Sequence, residues 1–338
     1  MRDISRRAVI TASLGITASG AAAGAYGLVE AGVLPGKYRL ARILGECGSA
    51  PPPPRGRGPA RRETAFWSSY RRRMVRMVIL IPAGAASARG LGVVVALHGL
   101  GGDAEAAAAH LASGMTSAAV RRFAVITVDG GNTYWHRRAD GDDPLGMIIH
   151  EVLPRAAAAG LRTRRIGIVG NSMGGYGALL LAERLGAGPA GSGLAGSGLA
   201  GSGLARSGLA RSDPGAGGGP GRAPAAARPT AAGVAAASPA IFASYADALA
   251  ADPGAFDGPA DFARNSVLAG LSALRRVPAR IDCGSSDPFA PMALLVRGRL
   301  ERLAGHPAQG GIKPGCHDNA FWARGLPAEL QFLDRQMK

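Results

Sequence analysis

The sequence predicts an α/β fold, a doubly wound and mostly parallel sheet flanked by helices. Three observations carry this. Short apolar runs of strand length alternate with helix-length segments from Met74 to the C-terminus. Some of these runs, such as Leu91-Gly-Val-Val-Val-Ala-Leu97, are apolar without alternation, the pattern of strands buried on both faces. The stretch from Arg165 to Leu185 reads strand, tight turn, helix: Ile166–Val169 is apolar, Gly170-Asn-Ser-Met-Gly174 fits G-x-S-x-G, and Ala178–Ala182 continues as an apolar helix. A chain with 52 glycines meets G-x-S-x-G by chance, so the flanking strand and helix are what give the motif weight.

Taken in order, the chain begins with a leader. Ser5-Arg6-Arg7 precedes a mildly apolar run rich in Ala, Gly and Thr that reaches Leu34, the pattern of a twin-arginine export signal with Ala23-Gly-Ala25 as a cleavage site. The run is also long enough to span a bilayer, so residues 1–34 read as an export signal or an N-terminal anchor. The protein is then secreted or in the cell envelope, or is anchored with its domain outside. Residues 35–62, with Pro51–Pro54, Gly56, Gly58 and Pro59, read as a Pro/Gly/Arg-rich linker, and residues 63–338 as the folded domain.

Within that domain Met74–Ile81, Leu91–Leu97 and Phe123–Asp129 are strands, and Asp103–Leu111 and Pro144–Ala159 are helices. Ala190-Gly-Ser-Gly-Leu194 then recurs with a period of five through Leu209, a period that suits neither helix nor strand, so residues 186–229 read as a low-complexity flexible insertion. Ala231–Ala237 and Ala279–Cys283 are further strands. Pro259–Leu274, Met292–Leu303 and Pro327–Met337 are helices, the first of them a candidate cap over the site.

The net charge of +16 raises the question of nucleic acid. Only Lys37, Lys313 and Lys338 are lysines, the arginines are scattered, and no basic stripe alternates with aromatics, so nucleic acid is not expected as a partner. Attraction to an anionic membrane or envelope surface is what the charge allows. Cys47, Cys283 and Cys316 lack the paired spacing of a zinc site, and neither a metal nor a cofactor is expected.

A serine in such a turn becomes a nucleophile when a base takes its proton and an acid orients the base. Ser172 is followed by Asp287, in Gly284-Ser-Ser-Asp-Pro288, and then by His317, in Gly315-Cys-His-Asp318. Both lie in loops beyond strand-like segments, where parallel sheets place their sites. Asp282 falls inside a strand pattern and should face packed structure. His110 and His150 fall on helices and His306 in a loop after one. The backbone N–H groups of Met173 and Leu100 are the expected oxyanion donors, the second from the glycine-rich turn His98-Gly-Leu-Gly-Gly102. His98, Tyr134, Trp135 and His136 are candidate substrate-binding residues, although a strand-end histidine such as His98 is more often a buried hydrogen-bonding residue.

These segments resemble the α/β-hydrolase superfamily, and more narrowly the bacterial secreted esterases related to esterase D and to the envelope mycolyltransferases. The resemblance rests on His98–Gly102, Gly170–Gly175, Cys283–Phe289 and Gly315–Asp318. It implies a serine carboxylesterase acting through an acyl-enzyme, with Ser172, Asp287 and His317 as its triad and a small-molecule or lipid ester as substrate. An acyltransferase passing the acyl group to a sugar or lipid alcohol, and a non-catalytic envelope binding protein on the same scaffold, are the alternatives. The long insertion and the scarcity of aromatic residues depart from the family and leave the acyl pocket undefined. If Asp287 and His317 meet, Cys283 and Cys316 ride on neighbouring loops and are expected either to pair or to remain two buried thiols.

Overall fold

The structure is a computed structural model, and it describes residues 37–186 and 228–337. Residues 1–34, expected to be an export signal or an N-terminal anchor, and almost all of the expected insertion at 186–229 lie outside the described residues. Among the described residues no helix is long and apolar enough to cross a membrane.

Eight strands form one sheet: β1 (Ala60–Ser68), β2 (Arg73–Ile81), β3 (Gly92–Leu97), β4 (Phe123–Val128), β5 (Arg162–Asn171), β6 (Thr230–Ala237), β7 (Ala279–Gly284) and β8 (Gln309–Lys313). Their order is β1-β2-β4-β3-β5-β6-β7-β8. The β1–β2 and β2–β4 pairings are antiparallel and all the others parallel. The sheet is therefore mostly parallel, as expected, with an antiparallel hairpin at one edge.

All six residues of β3 and all six of β4 are buried, because helices cover both faces. Val93, Val95 and Leu97 face one core layer, while Val94 and Ala96 face the other. The second layer is closed by α2 (Ala104–Ser117) and α10 (Asn319–Gln336), which bring Leu111, Met115, Leu330 and Leu333 onto the sheet. The first layer holds α5 (Met173–Leu185), whose Leu179 and Leu181 are fully buried. Completely burying such a side chain contributes about 1.5–3 kcal/mol.

Local chemistry sets several boundaries. The expected helix over residues 144–159 is one rod in three pieces: α3 (Pro144–Met147), a π turn (Ile148–Val152) and α4 (Leu153–Ala158). Pro154 has no N–H to donate four residues back, and the ladder widens there, the Leu153 N–H going to Ile148 O. The expected cap helix over Pro259–Leu274 is broken at Ser266, which is extended, into α7 (Pro259–Asn265), α8 (Val267–Gly270) and a 3₁₀ turn (Leu271–Leu274), with α6 (Tyr245–Ala251) before them. The chain between β7 and β8 forms α9 (Ala290–Ala304).

Three elements lie where no apolar run announces them. The helix α1 (Lys37–Ile43) and the start of β1 fall within residues 35–62, which read as linker, and β1 buries only Phe66 and Ser68. At the other edge β8 is Gln-Gly-Gly-Ile-Lys, and Gly310 and Gly311 both have positive φ.

Candidate active site

The chain runs from β3 out to β4 and then back across to β5, so the winding reverses between β3 and β5. The crevice at their C-terminal ends is where open α/β sheets bind ligands. Two glycine-bearing turns meet there.

The first turn follows β5. Ser172 has φ 55° and ψ −125°, a conformation that costs a non-glycine residue on the order of 1–3 kcal/mol. Surrounding bonds hold it: its N–H donates to Ala237 O at 3.0 Å, and its carbonyl accepts from Tyr176 N at 3.0 Å and Ala240 N at 3.1 Å. The bend is tight enough that a Cβ on Gly170 would strike the Gly174 carbonyl, and one on Gly174 would strike the carbonyls of Leu97 and His98. These close approaches explain both glycines of G-x-S-x-G.

The Asp287 and His317 loops meet this turn from β7 and β8. His317 Nε2 lies 2.9 Å from Ser172 Oγ, and His317 Nδ1 lies 2.9 Å from Asp287 Oδ2. The other carboxylate oxygen of Asp287 accepts the Phe289 N–H at 2.8 Å. A carboxylate can only accept, so Nδ1 carries the imidazole proton and Nε2 presents its lone pair to the serine hydroxyl. The side chain of Asp287 is fully buried, and that of His317 is 20% exposed. Phe289 and Trp322 flank the imidazole with ring centroids 5.2 and 5.1 Å away. Phe242 stands edge-on to Phe289 at 5.6 Å, extending this apolar wall. Phe242 lies in an irregular stretch after β6, and nothing in its sequence neighbourhood singles it out.

The second turn follows β3. A Cβ on Gly99 would lie 3.5 Å from Ser172 Cβ, so this loop packs directly against the serine. Among the described residues the Leu100 N–H has no hydrogen-bond acceptor, and Met173, as the first residue of α5, has none within its helix. His98 shapes the loop from below: its Nδ1–H donates to Gly99 O at 2.8 Å and its Nε2 accepts the Gly130 N–H at 2.9 Å. Burial pushes the His98 pKa down, consistent with this neutral, one-donor state. Asn132, which carries no sequence signal of its own, pins the same loop by accepting the Gly101 N–H at 2.7 Å.

The four residues expected to line the substrate pocket are placed differently. His98, Tyr134, Trp135 and His136 are each at most 3% exposed. Trp135 fills a niche that exists because Gly130 and Gly177 have no side chains, and its Nε1–H donates to His98 O at 3.1 Å. Tyr134 packs among Tyr176, Phe242 and Phe256. His136 stacks on Phe256, and its Nε2–H donates to Ala255 O at 3.0 Å. These side chains brace the floor of the crevice and leave almost no surface for a ligand.

The expected pairing of Cys283 with Cys316 does not occur. Cys316 is bonded to Cys47, with Cα atoms 4.8 Å apart, and Cys283 is a free buried thiol. The strand of Cys283, β7, lies beside β8, which leads into the loop of Cys316, but strand adjacency does not set the direction of Cβ. Cys283 points into the core layer that contains Ile281 and Phe242, whereas Cys316 packs on Ala41 and Cys47. Burial, and then the charge of Asp287, raise the Cys283 pKa and keep it a thiol. Among the described residues the one group of prospective metal donors is Cys47, Cys316 and Asp318, and its two sulfurs are already bonded to each other. Asp282 is buried as expected, and is paired with Arg280 and Lys313.

Residues 68–186 match the model of the "Putative esterase" family, a span that includes both turns but neither Asp287 nor His317. No curated protein matches the sequence. Among solved structures, FphF, a fluorophosphonate-binding serine hydrolase of Staphylococcus aureus, aligns with a TM-score of 0.56 at 17% identity, over 82% of this chain and 99% of its own. MPT51 (FbpC1) of Mycobacterium tuberculosis aligns with a TM-score of 0.57 at 15% identity, over 82% and 99%. An S-formylglutathione hydrolase from Agrobacterium tumefaciens aligns with a TM-score of 0.56 at 13% identity, over 84% and 98%. The chain therefore has the fold of these hydrolases, and its residues 68–186 are similar to the "Putative esterase" family.

Proposed function

We propose that the protein is a serine esterase that cleaves carboxylic esters through an acyl-enzyme. The observation that carries this reading is the pair of 2.9 Å hydrogen bonds, Ser172 Oγ to His317 Nε2 and His317 Nδ1 to Asp287 Oδ2, at the end of β5. The family match and the serine hydrolase neighbours support it.

In this reading Ser172 Oγ attacks the ester carbonyl carbon while its proton passes to His317 Nε2. Asp287 stabilises the imidazolium that results. The carbonyl oxygen, now carrying the negative charge, accepts from the N–H groups of Met173 and Leu100, and the N-terminal end of α5 adds a favourable dipole. Collapse expels the alcohol, which takes the proton from Nε2. Water then enters and gives a proton to Nε2 as its oxygen bonds to the acyl carbon. The acid leaves as the Oγ–acyl bond breaks and Ser172 Oγ takes the proton back from Nε2. The apolar wall of Phe289, Phe242 and Trp322 beside the imidazole suits a small-molecule or lipid ester. An extracytoplasmic place of work is part of the proposal, and the twin-arginine leader and the Cys47–Cys316 disulfide support it.

A fluorophosphonate probe and a p-nitrophenyl ester test the reading together. The wild-type protein should label and hydrolyse, and Ser172→Ala should do neither, with turnover lower by several orders of magnitude. A folded Ser172→Ala protein that keeps most of its activity would falsify the assignment.

A further inference from the structure

The loop that carries His317 is held from two sides. From the sheet side, Ser286 N–H donates to Gly315 O at 2.9 Å and Ser285 N–H to Lys313 O at 2.8 Å. Gly284 lets that loop close in, since a Cβ there would overlap the Gly315 carbonyl. From the outer side, the holding segment comes from the far end of the chain. Residues 37–49 lie against the loop: Ala41 is fully buried against Cys316, and Cys47 is bonded to Cys316 across a sequence separation of 269. Arg324 of α10 fastens the same segment, its Nη2–H donating to Cys47 O at 3.0 Å and its Nη1–H to Ser49 O at 2.7 Å.

His317 follows Cys316 directly and precedes Asp318, the N-cap of α10, which accepts the Phe321 N–H at 2.9 Å. The imidazole thus sits on one residue between a covalent tie and a helix cap. Gly315, just before the tie, has φ 152°, a conformation that residues with a side chain rarely adopt. Cys47 and Cys316 are 6% and 0% exposed, so the tie is part of the packed structure.

We propose that Cys47, acting through Cys316, is a positioning residue for the base: residues 37–49 form a strap whose disulfide holds the imidazole of His317 on the line between Asp287 and Ser172, so that esterase turnover depends on the thiol state of this pair. The inference rests on the esterase reading above. Opening the strap consumes a dithiol reductant. Two electrons and two protons pass to the Cys47–Cys316 bond, leaving two thiols, and the reductant closes to its own disulfide. A small-molecule disulfide oxidant reverses the exchange. The segment that supplies the strap directly follows the leader, so a chain folding in a reducing compartment would carry its triad loop untied until it meets an oxidising one.

The test uses the protein as secreted, with Cys47→Ser as the variant, since Cys47 touches neither substrate nor triad. Thiols counted after denaturation should be one per chain in the oxidised wild type, from Cys283, and three after reduction. Steady-state hydrolysis and the rate of fluorophosphonate labelling are measured well below the melting temperature of each form. A misplacement of the base near one ångström lowers turnover by up to about a hundredfold. The expected result is a tenfold to hundredfold fall in kcat and in labelling rate, on the order set by that misplacement, with KM changed less than about twofold. Reduced wild type should behave as Cys47→Ser does, and reoxidation should restore wild type but not the variant. Equal kcat and labelling in the folded variant and wild type, even with a lower melting temperature, would make the disulfide a stability device only and overturn the proposal. Failure of wild type itself to label would overturn the esterase reading and this inference with it.

Discussion

The carbonyl oxygen of Leu97, the last residue of β3, occupies the place where a side chain on Gly174 would have to go. The strand that feeds the His98–Gly102 loop and the helix that follows the serine therefore touch backbone to backbone. The separation of Ser172 from the Leu100 N–H depends on that contact, which is how two turns distant in sequence come to lie side by side.

Gly174→Ala should accordingly destabilise the protein by about 1–3 kcal/mol or more, the usual cost of overpacking, because neither backbone can yield without moving the turn. Gly298→Ala is the control. That glycine is inside α9, and a Cβ there meets only an Arg302 guanidinium nitrogen at 3.6 Å, so the change should stabilise by about 0.4–1 kcal/mol. Thermal unfolding of the two variants against wild type checks both signs.

Stability should fall as pH rises from about 5 to about 8, and Glu329 should account for part of the loss. Glu329 is 3% exposed on α10, its Oε1 has no hydrogen-bond partner, and burial, reinforced by Asp282, pushes its carboxyl up to about 8. The folded chain then keeps a proton that the unfolded chain releases near pH 4.3, so each pH unit in that window favours unfolding by at most about 1.4 kcal/mol for this group. Glu329→Gln should flatten the decline in melting temperature. Glu183, pushed up to about 9 by burial, should leave a residual slope in the variant. A variant with the same pH slope as wild type would show that Glu329 is ionised in the folded protein.

Replacing residues 188–227 with a short linker should change the melting temperature and ester hydrolysis little. The Ala231 N–H donates to Gly186 O at 2.9 Å, so the two points where the insertion leaves and rejoins the domain are in contact, and a few residues suffice to close the gap. Circular dichroism melts and steady-state rates on the shortened chain decide it; a large loss of stability would mean that the repeat contributes to folding.

The parts of this protein that its sequence determined by itself are those in which cause and consequence are close along the chain. Short β-branched apolar runs with no alternation, Leu91–Leu97 among them, read as strands covered on both faces. The elbow at Ser172 is legible because its strand, its two glycines and its helix lie within about twenty residues and form one unit of local geometry. Asp287 and His317 are legible as candidates because each sits in a loop after a strand-like segment, although only the fold brings His317 within 2.9 Å of both Asp287 and Ser172. What the tertiary structure alone decided are relationships between distant segments. Polar and glycine-rich edge strands such as β1 and β8 form because a neighbour offers unpaired backbone groups, which an apolar pattern does not record. The aromatic loop Tyr134–His136 carries residue types suited to a pocket, but Gly130 and Gly177 open a niche for Trp135 inside the molecule, and the loop becomes scaffold. Cys316 bonds to Cys47 and not to Cys283 because disulfide formation depends on the direction of each Cβ, which is set by the packing of α1 and residues 44–49 on the His317 loop across 269 residues of chain.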